Sequence, residues 1–80
     1  MREFQDETGG VWIASIQESD GEDYKGRYCL RFGEKGAPES EGLTVDDVRW
    51  NSPKTAERTL ATMSVFELRR RLKIGLGRAV

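Results

Sequence analysis

Residues 51–73 read NSPKTAERTLATMSVFELRRRLK, a stretch with two helix starts where one rod would need only one. Asn51-Ser52-Pro53 is the first, because Ser52 can accept from free backbone amides and proline is tolerated at the first helical position. Ser64-Val65-Phe66-Glu67 is the second and matches the capping box, in which serine and glutamate satisfy each other's exposed donors. The stretch therefore predicts one helix to about Thr62, a break near Met63, and a second helix beyond it. At about 100° per residue Ala56, Leu60 and Met63 share one side of the first segment, and Val65, Leu68 and Leu72 share one side of the second. In a single rod the two stripes would diverge; two short helices meeting at Met63-Ser64 bring both to one core. Gly75 and Gly77 are expected to end the second helix.

Upstream the pattern changes from helical to alternating. Tyr24 to Phe32 holds the cleanest period of two, with Tyr28, Leu30 and Phe32 alternating against Arg27, Cys29 and Arg31. Val11 to Gln17 is rich in β-branched and aromatic types and reads as a strand, preceded by a short extended stretch at Phe4. Asp6-Glu7-Thr8-Gly9-Gly10 supplies the turn between them, and Ser19-Asp20-Gly21 a second turn. Gly33 to Gly42 reads as a loop, and Leu43 to Trp50 as a fourth strand whose pairing is short because Asp46-Asp47 is poor strand chemistry.

Strands first and helices last predict an α+β fold: an antiparallel three- to four-stranded sheet followed by two short C-terminal helices packed on one face. Residues 1–74 form a single domain in this reading and 75–80 a frayed C-terminal tail. Trp12, Ala14 and Ile16 are expected to face the helices with Tyr28, Leu30 and Phe32. Val11 and Ile13 then project to the opposite side beside Cys29, an apolar patch that invites either a curled sheet or a second copy of the chain.

Eighty residues bury only about 60% of the unfolded surface and are held by about 4–12 kcal/mol, so each aromatic serves folding first. Apolar residues make up 36% and charged ones 34%, the balance of a folded, well-solvated domain. Apolar runs reach only four residues at Val11 to Ala14, against about 20 for a membrane span. Glu3, Asp6 and Glu7 occupy the place of a signal peptide's basic patch, and the lone Cys29 has no disulfide partner, so a cytosolic setting is expected. The net charge of −1 hides an uneven split: twelve acids against five bases over residues 1–47, and two against eight over residues 48–80.

Histidine is absent, which removes the side chain that titrates near neutrality and the commonest metal ligand. Ser–His and Cys–His nucleophile pairs cannot be built, and a single cysteine cannot found a structural zinc site. No catalytic residue, cofactor or metal is assigned. Asp46 and Asp47 would point to opposite faces of a strand, Asp20, Glu22 and Asp23 lack calcium-loop spacing, and Thr8-Gly9-Gly10 and Gly75-Leu76-Gly77 lack phosphate-loop spacing.

Arg69-Arg70-Arg71-Leu72-Lys73 is the sharpest feature that remains. Clustered cations can pair with acidic partners or neutralise phosphates, yet bases in a last helical turn also complement the helix dipole, and Glu67 with Arg71 forms an i,i+4 pair in the favourable order. Arg49 and Trp50, just ahead of the first cap, are candidates to extend that surface, although in so small a chain the core-anchor reading of Trp50 and Trp12 outweighs the surface one. Cys29 reads as a small buried hydrophobe. The expectation is a small non-enzymatic protein-interaction or regulatory module that binds another protein or itself through Val11 and Ile13 or through Arg49, Trp50, Arg69, Arg70 and Lys73. The alternative is a nucleic-acid-binding regulator using the basic helix, which a pI near 5.4 disfavours.

Overall fold

The computed structural model describes residues 1–18 and 26–78. The turn expected at Ser19-Asp20-Gly21, the acids Asp20, Glu22 and Asp23, and Tyr24 lie outside the described residues, as do the side chains of Asp46 and Asp47. Four strands follow one another, β1 (Arg2–Gln5), β2 (Val11–Glu18), β3 (Tyr28–Glu34) and β4 (Leu43–Trp50), and then two helices, α1 (Pro53–Thr62) and α2 (Val65–Arg78). The sheet is an antiparallel meander in the order β1-β2-β3-β4, so the expected α+β architecture is the one observed.

Register decides which side chains meet the helices. Phe4 lies opposite Trp12, Ala14 opposite Phe32, Ile16 opposite Leu30, and Leu30 opposite Val45. Cross-strand partners share a face, and that face forms the core with Leu60 of α1 and Leu68 and Leu72 of α2. Phe4 and Phe32 meet edge to face with ring centres 5.8 Å apart, the geometry that brings a positive ring edge onto a negative ring face. Trp12, Ile16, Leu43, Trp50 and Met63 close the margins, each partly buried.

Both helix starts fall where the sequence places them. Ser52 Oγ accepts from the Thr55 amide at 3.4 Å and Pro53 opens α1. Ser64 Oγ accepts from the Glu67 amide at 3.1 Å. The capping box is only half made, because the Glu67 carboxylate turns to Arg70 and Arg71 instead of the Ser64 amide. At the break, Arg2 Nη1 donates to the carbonyls of Leu60, Ala61 and Met63 at 3.0, 3.0 and 2.9 Å. The Leu60 carbonyl also accepts from the Met63 amide at 3.3 Å, and the other two lie where a helix end leaves carbonyls short of donors, so edge strand β1 is tied to the elbow between the helices.

Several expectations need correction. β3 begins at Tyr28, with Gly26 and Arg27 outside it, and runs on through Gly33 to Glu34. The loop after it holds a short 3-10 turn at Glu39–Glu41. β4 is a full strand but pairs irregularly: Val45 and Trp50, five residues apart, oppose Leu30 and Tyr28, only two apart. The surplus falls on residues 46–49, where Asp46 and Asp47 are poor strand formers. Val65 is 39% exposed, so the inward stripe of α2 is Leu68, Leu72 and Gly75.

The helix end expected at Gly75 and Gly77 is also overturned, because α2 continues to Arg78; residues 79–80 of the expected tail lie outside the described residues. Gly75 is a contact point instead of a stop. A Cβ built there would lie 2.7 Å from Val45 Cγ2 and 2.9 Å from Leu43 Cδ2, closer than side chains pack, while one at Gly77 would meet nothing within 4 Å. Gly75→Ala is therefore expected to destabilise the domain by about 1–2 kcal/mol, overpacking outweighing the gain in helix propensity. Gly77→Ala, with propensity alone at work, is expected to stabilise by about 0.5–1 kcal/mol. Urea denaturation of the two variants beside wild type checks both signs.

Candidate functional site

On α2 the residues opposite Leu68, Leu72 and Gly75 are Phe66, Arg69, Arg70 and Lys73, spaced at the three- and four-residue intervals of one helix side. Phe66 is 79% exposed, whereas Phe4 and Phe32 are buried and both tryptophans pack on the core. Leu76, 43% exposed, continues the apolar flank one turn beyond Leu72. Glu7 joins Phe66, Arg69, Arg70 and Lys73 around a shallow hollow of about 360 Å³. An adjoining hollow of about 200 Å³ lies between Asp6, Glu7 and Thr8 of the β1–β2 turn and Arg69, Leu72, Lys73 and Leu76. Sharing Glu7, Arg69 and Lys73, the two form one groove between the turn and the helix.

The turn wall is held by Asp6. Its Oδ1 accepts from the Thr8 amide, the Thr8 hydroxyl and the Gly10 amide, each at 2.8 Å, and its Oδ2 accepts from the Trp12 indole at 2.8 Å. Gly9 sits at φ +91, in the region a side chain disfavours, which lets the chain reverse tightly enough for these bonds. The Thr8 hydroxyl, then the Trp12 indole, then the amides of Gly10 and Thr8 pull the Asp6 pKa from 3.8 to about 2 against the opposing effect of burial.

On the helix wall the cations divide. Arg70 forms a fork with Glu67, its Nε to Oε2 at 3.0 Å and its Nη2 to Oε1 at 2.9 Å. Arg71 Nε lies 2.9 Å from the same Oε1, an ion pair without hydrogen-bond alignment. The bonds from Arg70, then the charges of Arg70 and Arg71, hold the Glu67 carboxyl below the usual glutamate range against burial. Arg69 points the other way, and its Nε donates to the Gln5 carbonyl at 2.7 Å. That bond anchors the guanidinium beside the groove that Arg69 lines, while among the described residues neither its two terminal nitrogens nor the Lys73 ammonium has a partner.

The remaining candidates lie elsewhere. Trp50 pairs with Tyr28, which pairs with Glu18, at the end of β2 remote from the Asp6–Gly10 turn. Arg49 and Trp50 therefore do not join the Arg69–Lys73 surface, and Trp50 packs against the core. Val11 and Ile13 are half-buried on the open sheet face. Ile13 pairs with Gly33, whereas Cys29 lies opposite Gln17, so Cys29 is not the neighbour expected. Gly36, Ala37 and Pro38 of the β3–β4 loop gather with Ile13 around a hollow of about 270 Å³, and Lys35 donates its amide to the Val11 carbonyl. The expected patch is thus partly closed by its own chain. Cys29 is buried, and its thiol faces the Gln17 carbonyl at 3.8 Å.

Sequence reasoning missed Phe66, Leu76 and Glu7 as surface residues. The signal for Phe66 was present, since it stands on the polar side of the helix set by Leu68 and Leu72; its place within the capping box masked it. Among the described residues no cluster of three or more potential metal ligands occurs, and no helix is long and apolar enough to cross a membrane. Comparison with known proteins finds no family model, no curated protein and no solved structure that matches the chain.

Because Asp6 is a stronger acid in the folded chain than in the unfolded one, its contribution is complete above pH 3.8 and is lost as the pH falls through about 2. Asp6→Asn is expected to remove that part of the acid dependence and to shift the Trp12 emission. Thermal midpoints and fluorescence of both proteins between pH 5 and pH 2, an interval of about three units around the two pKa values, check the sign.

Proposed function

We propose that the chain is a small non-enzymatic protein-interaction module of the cytosol that engages its partner through the outward side of α2. The observation that carries this reading is Phe66, the one phenylalanine left 79% in water, set among Arg69, Arg70 and Lys73. Burying a phenylalanine side chain is worth about 1.5–3 kcal/mol. An aromatic anchor bordered by arginine is the composition enriched at the centres of protein interfaces. The sheet face supports self-association less than its sequence implied, because Val11 and Ile13 are half-covered by the chain itself.

Nucleic-acid binding is the second reading, favoured by the same juxtaposition, since a base can stack on Phe66 between cations. Against it stand the net charge of −1 and the small extent of the positive surface, since Asp6 and Glu7 line the opposite wall and a nucleic-acid strand gains affinity by neutralising many successive phosphates.

Phe66→Ser is expected to leave stability within about 0.5 kcal/mol, as for other exposed positions, and to weaken partner binding by at least about tenfold. Thr44, exposed on the open sheet face where it pairs with Arg31, supplies the control: affinity capture from native cytosol with wild type, Phe66→Ser and Thr44→Lys is the measurement. A partner retained by wild type and Thr44→Lys but lost by Phe66→Ser supports the reading; equal recovery by all three, or loss only with Thr44→Lys, sinks it.

A further inference from the structure

We infer that the groove between the β1–β2 turn and α2 receives a short acidic peptide segment of the partner. The segment would carry two carboxylates about one helical turn apart and an apolar side chain beside them. This rests on the reading of α2 as the contact surface and names the chemistry it selects. Three observations converge.

The first is the state of the donors. Arg69 is held by its Nε on the Gln5 carbonyl, so its two terminal nitrogens are presented as a pre-set fork, the geometry that matches a carboxylate. Lys73 stands one turn further along, and among the described residues nothing pairs with its ammonium or with that fork. Arg70 and Arg71, by contrast, are already drawn to Glu67. The basic run therefore offers two open cationic positions on the groove, spaced by one helical turn.

The second is the apolar ground. Phe66 and Leu76 flank the two cations at 79% and 43% exposure, so a ligand made only of charge would leave both in water. An apolar side chain next to the carboxylates covers one or both.

The third is the limited extent of the positive field. Asp6 and Glu7 line the opposite wall, and the Asp6 carboxylate is already saturated by the Thr8, Gly10 and Trp12 donors. A nucleic-acid strand gains affinity by neutralising many successive phosphates, whereas this groove has two open cations and then turns acidic. A peptide carboxylate pair fits within it. Glu7 faces the incoming carboxylates as a like charge and weakens their binding.

The test is selection of short random peptides displayed on phage against the wild-type protein, followed by anisotropy titration of the enriched sequences. The inference requires a consensus with two Asp or Glu residues and an apolar residue. Replacing those acids by their amides, or using Lys73→Gln, should weaken binding about tenfold. Glu7→Gln should tighten it roughly threefold, a gain that damage to the fold would not produce. A neutral or basic consensus, an acidic consensus indifferent to Lys73→Gln and Glu7→Gln, no enrichment at all, or displacement of the peptide by a single-stranded oligonucleotide overturns it. A neutral consensus that still requires Phe66 would overturn the acidic assignment alone and leave the interaction reading standing. Loss of nothing on Phe66→Ser in the capture experiment would remove both.

Discussion

The break at Met63 and Ser64 is the constraint on which the rest of the structure depends. Leu60 and Met63 must enter the core from the first helix and its end, and Leu68 and Leu72 from the next; in a single rod Met63 and Leu72, nine residues apart, would point in opposite directions. Ending a helix in contact with a core leaves carbonyls in need of donors. Here the Met63 amide serves Leu60 and Arg2 Nη1 reaches Leu60, Ala61 and Met63 from the edge strand. One ion-dipole contact thus closes the helix and holds β1, itself only four residues long, against the elbow.

From that elbow the candidate site follows. Once α2 leaves the break with Leu68, Leu72 and Gly75 toward the sheet, its opposite side is fixed, and Phe66, Arg69, Arg70 and Lys73 have nowhere to go but solvent. The close approach of Gly75 to Leu43 and Val45 sets how near the helix lies to β4, and the Arg69 bond to Gln5 sets how it lies along β1. Fold and surface are thereby linked: the same helix that completes the core carries the groove. Asp6, by gathering the Thr8, Gly10 and Trp12 donors, makes the turn a firm second wall for it.

The electrostatics are local. A count along the chain gives an acidic first half and a basic second half, but what a ligand meets is set by which charges are already used. Glu67 draws Arg70 and Arg71 to itself, so of the four cations in the run two are engaged within the helix. Arg69 and Lys73 keep their capacity because the neighbouring carboxylates, Asp6 and Glu7, are respectively bound to amides and an indole or left without an ion pair among the described residues.

The sequence by itself determined what depends on neighbours along the chain: the meander, both helix starts, the break between them, and the pairing of Glu67 with Arg71. Turn residues, caps and periodicity act within one element, so they are legible in one dimension. Only the tertiary structure decided that α2 runs through Gly75 and that Arg49 and Trp50 sit apart from the basic helix. It likewise decided that the loop at Gly36 to Pro38 shares the open face with Ile13, and that Phe66 stands unpacked beside Arg69 and Lys73. Each of these depends on distances between segments far apart in sequence. A glycine reads as a stop until a strand is found against it, and an aromatic reads as core until the side of the helix it occupies is known to face water.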